Sequence, residues 1–302
     1  MLNYNPGFQH VDSIGERQVL SSLEDNLKYF LDWSFLKIGG FINIDIPTTD
    51  VSSSLLHKLR LVDDPTNANN TVWEAIKKDW IYETGISYDG NSPNEITGVN
   101  LNGNFLAGPN GIAPYTYTLD YKNGRVIFDN PVSQNSDVQI EYSYRYIQTY
   151  KSNEVRGLEI NDEVLSANKV QTPAILIEMI DRTSQKPFEL GNSKNLFYQD
   201  VLFHILAQNP TQRTNIANTL LLQKDKSFYL YNIDKIVQDG VYPYNYDGSI
   251  NPNRINYGLL FSNSDYIHKK AFVQNAIISE FNTISDNIYH NVVRWTIEIF
   301  PD

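Results

Sequence analysis

TPAILIEMIDRTSQKPFELGNSKNLFYQDVLFHILAQNPTQRTNIANTLLLQKDKSFYLYNI, residues Thr172 to Ile233, is the stretch on which the fold turns. After Pro173, the residues Ile175, Leu176, Ile177, Met179 and Ile180 form a nearly continuous apolar run, the pattern of a strand covered on both faces. A polar stretch from Arg182 to Asn195 leads to a second strand, Leu196 to Ala207. There Val201, Phe203 and Ile205 share one face, and Leu202, His204 and Leu206 the other. His204 sits within a largely apolar strand and reads as a satisfied core or interface histidine. Asn209-Pro210 supplies an N-cap followed by proline at the first helical position. Ile216, Ala217, Leu220 and Leu221 then give the helix its buried stripe to about Lys224, and Phe228 to Ile233 is a third strand. Strand, polar stretch, strand, helix and strand make a small α/β unit.

Upstream, Ser13 and Glu16 have capping-box spacing, and Val19, Leu23, Leu27, Phe30 and Leu31 recur at helical intervals, predicting a helix from Ser13 to Phe35. Gly39 and Gly40 stop it, Phe41 to Ile46 is a short strand ended by Pro47, and Thr48 to Thr71 reads as loop with a solvated Asp63-Asp64-Pro65 turn. Val72 to Ile81 reads as a short amphipathic piece. Asn123-Gly124, between Tyr117–Tyr121 and Arg125–Phe128, predicts a hairpin with a tight type I′ turn, and Asn102-Gly103 predicts another within Ile96 to Phe105. Val138, Ile140, Tyr142, Tyr144 and Tyr146 alternate with Gln139, Glu141, Ser143 and Arg145, so an aromatic stripe and a water-facing side are expected. The stripe suits a sugar-stacking platform or, more plainly, the core face of a sheet. Lys151 to Lys169, with Glu154, Glu159, Asp162 and Glu163, reads as a linker. A long Tyr-, Asn- and Pro-rich loop runs to about Tyr266, and β segments follow at Phe272 to Phe281 and Val292 to Phe300. The expected class is α+β: a discontinuous α/β domain of residues 1–71 and 151–302, interrupted by an antiparallel β module at 72–150.

The chain has 302 residues, 41% of them hydrophobic and 20% charged, which is globular composition. A net charge of -11 argues against nonspecific attraction to nucleic acid or anionic membrane. With no cysteine, thiolate metal sites, disulfides and thiol nucleophiles are excluded together. Met1 to His10 lacks the basic start and apolar core of a secretory signal, and no run reaches the roughly 20 apolar residues of a membrane helix. The five histidines, His10, His57, His204, His268 and His290, are scattered without metal-ligand spacing. Neither Tyr246-Asp247-Gly248-Ser249 nor Asp286-Asn287 has the spacing of a calcium loop, and no phosphate loop or nucleophile elbow is present. No catalytic residue, metal or cofactor is expected, and the chain does not read as an enzyme.

Two stretches resemble virion structural proteins of tailed bacteriophages, in particular of large contractile-tailed phages. One is GVNLNGNF (Gly98–Phe105) with YTLDYKNGRVIFDNPVSQNSDVQIEYSYRY (Tyr117–Tyr146). The other is TPAILIEMI, then PFELGN, then FYQDVLFHILAQNPTQRTNIANTLLLQKDKSFYLYN, within Thr172 to Asn232. The second is similar to tail-terminator and neck proteins, although the β module and the loop from Ile236 to Tyr266 have no counterpart in a simple terminator. The resemblance implies a homo-hexameric ring in the virion neck, assembled in the host cytoplasm. Such a ring joins the connector or head-completion proteins to the tail tube and sheath, with DNA passing through its lumen without specific binding. It also makes the loop carrying Arg182, Lys186, Phe188, Glu189, Asn192 and Lys194 the contact to a neighbouring subunit or the tube. The alternative is a baseplate or tail-fibre carbohydrate- or receptor-binding protein that works through the aromatic stripe. If the loop is the contact, replacing Lys186 and Phe188 weakens assembly more than folding; unchanged ring formation by that variant, seen by light scattering, counts against it.

Overall fold

Residues 14–47, 55–108, 110–152, 170–187, 195–239, 257–285 and 288–300 are described by a computed structural model, and they form an α+β protein. Helix α1 (Ile14–Lys37) buries Leu23, Leu27, Leu31 and Phe35, spaced four apart along one stripe. It ends in a Schellman motif: the Gly40 N–H bonds the Phe35 carbonyl at 2.8 Å and the Gly39 N–H the Leu36 carbonyl at 3.1 Å. Gly39 holds φ at +84°, and a Cβ on Gly40 would come within 2.7 Å of the Phe35 oxygen, so both positions need glycine.

The chain then builds ten short strands: β1 (Phe41–Ile44), β2 (Arg60–Leu61), β3 (Val72–Glu74), β4 (Gly98–Leu101), β5 (Asn104–Ala107), β6 (Gly111–Ile112), β7 (Tyr115–Asp120), β8 (Arg125–Phe128), β9 (Val138–Ile140) and β10 (Tyr142–Arg145). They pair as β2-β3-β8-β7-β6, β5-β4-β9 and β1-β10 around one core that contains Trp73, Trp80, Tyr117, Val126, Phe128, Ile140 and Tyr142. The type I′ turn lies at Asn102-Gly103, with φ of +51° and +81° between the paired Leu101 and Asn104. At Asn123-Gly124 the hairpin forms, but the last pair is Asp120 with Arg125, which leaves a four-residue turn. The Asp120 carboxylate there accepts the Asn123 N–H at 3.0 Å and so stabilises the wider turn. The short amphipathic piece read at Val72 to Ile81 is the strand β3 followed by turns, with Asp79 at φ +56°.

The second half is a six-stranded sheet in the order β11-β12-β13-β16-β15-β14: β11 (Gln148–Lys151), β12 (Ala174–Pro187), β13 (Asn195–Ala207), β14 (Ser227–Tyr231), β15 (Ile267–Ser285) and β16 (Ile288–Ile299). Only β11 and β12 run parallel. Helix α2 (Pro210–Leu221) carries the expected cap, Asn209 accepting the Gln212 N–H at 2.8 Å. It packs with α1 on a single sheet face made by Ile175, Ile177, Val201, Phe203, Val273, Val293, Trp295 and Ile297. Covering on both faces, expected for the strand after Pro173, is limited to its start: Ala174 is buried, Leu176 is half-buried and Glu178 is exposed. The expected loop before Tyr266 contains α3 (Ile233–Gln238), α4 (Tyr257–Ser262) and a 3₁₀ turn at Ser264–Tyr266. These gather with Leu36, Ile81 and Ile86 into a third, smaller core.

Strand pairing corrects the expected domain limits. β1 and β2 pair into the β module, and β11 pairs with β12, so by pairing the module runs from Phe41 to Arg145 rather than over 72–150. The linker residues Glu154, Glu159, Asp162 and Glu163, the helix cap Ser13 and Tyr246–Ser249 lie outside the described residues.

Helix α1 also holds both margins of the sheet. Asp25 pairs with Lys151 of β11 at 2.6 Å, and the next residue, Asn26, accepts the Tyr231 N–H of β14 at 2.7 Å and donates to its carbonyl at 3.0 Å. One helical turn therefore draws together the first and last strands of a curled sheet. Asn26→Ala orphans two backbone groups of a strand margin and is expected to cost about 2–4 kcal/mol, whereas Asp25→Ala, at a partly solvated pair, is expected to cost under about 1 kcal/mol. Urea unfolding of both variants measures the contrast, and equal losses would refute the tether.

Candidate functional site

Of the residues expected at a subunit contact, Arg182 lies in the bulged part of β12 between Met179 and Thr183, and Lys186 is paired with Leu196 across the hairpin. Both are therefore in strand, not loop. Lys186 is exposed, with its ammonium 5.0 Å from the Tyr198 ring centre. Phe188, Glu189, Asn192 and Lys194 lie outside the described residues.

What the hairpin leads into is the second face of the large sheet. Four central strands run beside one another over most of the 13 residues of β13, roughly 40 Å at ~3.3 Å per residue. Register sets their outward residues in rows: Leu176, His204 and Val292; Glu178, Leu202, Arg294 and Ile277; Asp200 and Thr296; Tyr198, Glu298 and Phe272. Both long helices lie on the opposite face. Ile277 is 44% exposed among the apolar members. The polar members are joined in pairs: Thr296 donates to Asp200 at 2.7 Å, Arg294 forms an ion pair with the same carboxylate, and Tyr198 donates to Glu298 at 2.8 Å. That last bond to a carboxylate pushes the Tyr198 phenol up.

Among the described residues, the face is covered near β11. Gln171 accepts from Gln148 at 3.3 Å and from the Lys78 N–H at 3.1 Å, and donates to the Ile76 carbonyl at 2.7 Å, docking a turn of the β module beside buried Gln148 and Ala174. At the margin of this covered area, His204 bonds Glu178 at 2.7 Å through Nε2 and His290 at 3.2 Å through Nδ1. The satisfied histidine expected at 204 is thus present, with two partners that sequence reading did not pair with it. The alternation of Val293, Trp295, Ile297 and Ile299 implies an opposite row of Arg294, Thr296 and Glu298. On one side that row is flanked by β15 of the same hairpin, and on the other by β13, reached by contacts across 86 to 100 residues of chain.

A second polar cluster is buried and has another character. Arg145 of β10, on the side of the stripe expected to face water, lies between the β module and α1. Its Nε donates to Asp32 at 2.6 Å, its Nη1 to the Trp80 carbonyl at 3.2 Å, and its Nη2 bonds both Asp32 and Glu83. Glu83 has a fully buried side chain, and burial pushes its carboxyl above the ordinary range, with Arg145 opposing the rise. The stripe itself is core. Tyr142 is 0% exposed with its hydroxyl on the Leu56 carbonyl at 2.9 Å, and burial pushes the Tyr117 phenol to about 12.

No group of three or more His, Cys, Asp or Glu arranged to hold a metal ion occurs among the described residues, and no described helix is long and apolar enough to cross a membrane. Comparison with protein-family models and with curated proteins finds no match for this chain.

The arginine cluster makes two expectations. Arg145→Met strands Glu83 and Asp32 and is expected to cost about 3–5 kcal/mol in urea unfolding. Because the folded-state pKa of Glu83 is raised, its contribution is present below the unfolded carboxyl value of about 4.3 and is lost as pH rises through the folded value. Glu83→Gln, which mimics the protonated acid, should therefore lose less stability than wild type between about pH 4 and pH 7. Equal losses would show that burial of this carboxyl is not what sets the dependence.

Proposed function

We propose that the chain is a non-enzymatic structural subunit of a phage virion neck, similar to a tail terminator, which assembles with copies of itself into a ring joining the head connector to the tail tube and sheath. The observation that carries this reading is the second face of the six-stranded sheet. Four long strands present apolar residues (Leu176, Leu202, Ile277) among paired charges (Asp200 with Arg294) opposite the face that holds the core. Apolar side chains interleaved with paired charges suit a surface that another protein covers. The likeness of Thr172 to Asn232 to terminator proteins supports a second copy as that protein. A net charge of -11 suits a lumen that DNA slides past, because like charge repels phosphate.

The baseplate or fibre reading requires aromatic rings open to a sugar. Tyr117, Tyr121, Tyr142 and Tyr144 are buried in the module core, which removes the stripe as a platform. Exposed Phe105, Ile112 and Tyr115 on β5 to β7 are the features that favour this second reading.

Light scattering with negative-stain imaging of the same peak tests the proposal, with hexameric rings expected and a compact trimer favouring the fibre reading instead. Ile277→Asp together with Leu202→Asp is expected to weaken ring association at least about thirtyfold. If rings persist in that variant, the open face is not the surface between copies.

A further inference from the structure

The alternation that turns Val293, Trp295, Ile297 and Ile299 of β16 towards the helices turns Asn291 the same way, level with Ile205 of β13. Asn291 is 0% exposed, and neither its Nδ2 nor its Oδ1 has a hydrogen-bond partner among the described residues. Exchanging the two ends of the amide changes nothing, because both are unbonded. Helix α2 lies over this spot. Its first turn places the Arg213 guanidinium 5.9 Å from the Tyr289 ring centre, and in its last turn the Leu220 carbonyl accepts the Trp295 Nε1–H at 3.2 Å. Asn291 stands between Tyr289 and Trp295 on the strand, so it lies beneath the middle of the helix, where the buried side chains are Ile216 and Ala217.

A primary amide carries two donors and an oxygen with two lone pairs, and taking it out of water costs free energy unless these find partners. The protein around it supplies none. The side chains of Ile205, Val293, Ile216 and Ala217 are apolar, and the backbone groups of α2 at this height are bonded within the helix. The same helix start holds a second buried acceptor: Gln212 donates to the Tyr146 hydroxyl through Nε2, while its Oε1 has no partner among the described residues. Buried polar groups that the protein leaves over are met in native structures by internal water. A bare ion needs several ligands, and Asn291 offers one amide. A molecule that donates to Oδ1 and accepts from Nδ2, and is small enough for a space walled by apolar side chains, is water.

We propose that the Asn291 amide anchors an internal water site between the large sheet and α2. The site lies on the opposite side of the sheet from the outer face and does not depend on reading that face as a surface between copies. Water held there leaves only when α2 moves away from the sheet, so its residence time reports that opening.

A high-resolution crystal structure of the full chain is expected to show an ordered water at about 2.7–3.2 Å from Asn291 Nδ2, Oδ1 or both. No density there, or a protein group bonded to the amide instead, would overturn the site. Asn291→Leu, which is close to asparagine in shape and apolar, is expected to fold and to lose that water; a water that persists in the variant is held by other groups and would also overturn the assignment. Magnetic relaxation dispersion of water oxygen-17 in solution asks the same question without a crystal. It is expected to count at least one long-lived water fewer in Asn291→Leu than in the wild type, and equal counts would sink the proposal. Should the variant fail to fold, the wild-type crystal structure decides by itself.

Discussion

Helix α1 is the constraint on which the other parts depend. Its apolar stripe of Leu23, Leu27, Leu31 and Phe35 fills the concave side of the large sheet. Its Asp25 and Asn26 hold the two sheet margins, its Asp32 holds the β module through Arg145, and its Leu36 enters the third core. A curled sheet exposes a margin at each side unless something covers it, and unpaired strand edges invite pairing with other chains. A side-chain amide such as Asn26, donating and accepting at once, occupies the edge at Tyr231 as a neighbouring strand would. At those two points a helix, and not a further strand, meets the sheet margins.

The two polar clusters illustrate opposite uses of charge. Around Arg145, a guanidinium and two carboxylates have left water altogether, where attraction only roughly balances the cost of desolvation. Its value lies in geometry: Asp32, Glu83 and the Trp80 carbonyl accept the guanidinium in one orientation of module against helix. On the outer face, Asp200, Arg294, Glu298 and Glu178 are partly solvated, so their pairing adds little to folding. The same residue types fix an orientation in one place and stay partly solvated in the other, and burial makes the difference.

Much of the local structure was legible. The helix over Leu23 to Phe35, the Asn209-Pro210 helix start, the strands at Ala174 and Leu196 and both hairpins follow from periodicity and turn chemistry, which act over a few residues. The two Asn-Gly turns show how far this reaches. Both were legible as hairpins, yet the Asp120 carboxylate widens one of them by capping Asn123, and Asn-Gly by itself does not report that competition. The candidate site was legible only in part. His204 was recognised as a partnered histidine in an apolar strand, while Glu178, Asp200, His290 and Arg294 carry no signal until their strands are side by side.

The sequence by itself determined the α+β class, the acidic charge, the lack of thiol chemistry and the alternation that turns one row of each long strand inward, because these depend on residue type and on neighbours along the chain. Tertiary structure alone decided that Phe41–Ile44 joins Tyr142–Arg145, that Gln148–Lys151 leaves the β module for the large sheet, and that Arg145 is buried although its strand pattern turns it towards water. It also decided that Glu178, His204 and His290 meet. Strand pairing is a choice among distant partners, settled by which arrangement buries the most apolar surface while leaving every buried charge a partner, and that balance exists only once the whole chain is folded.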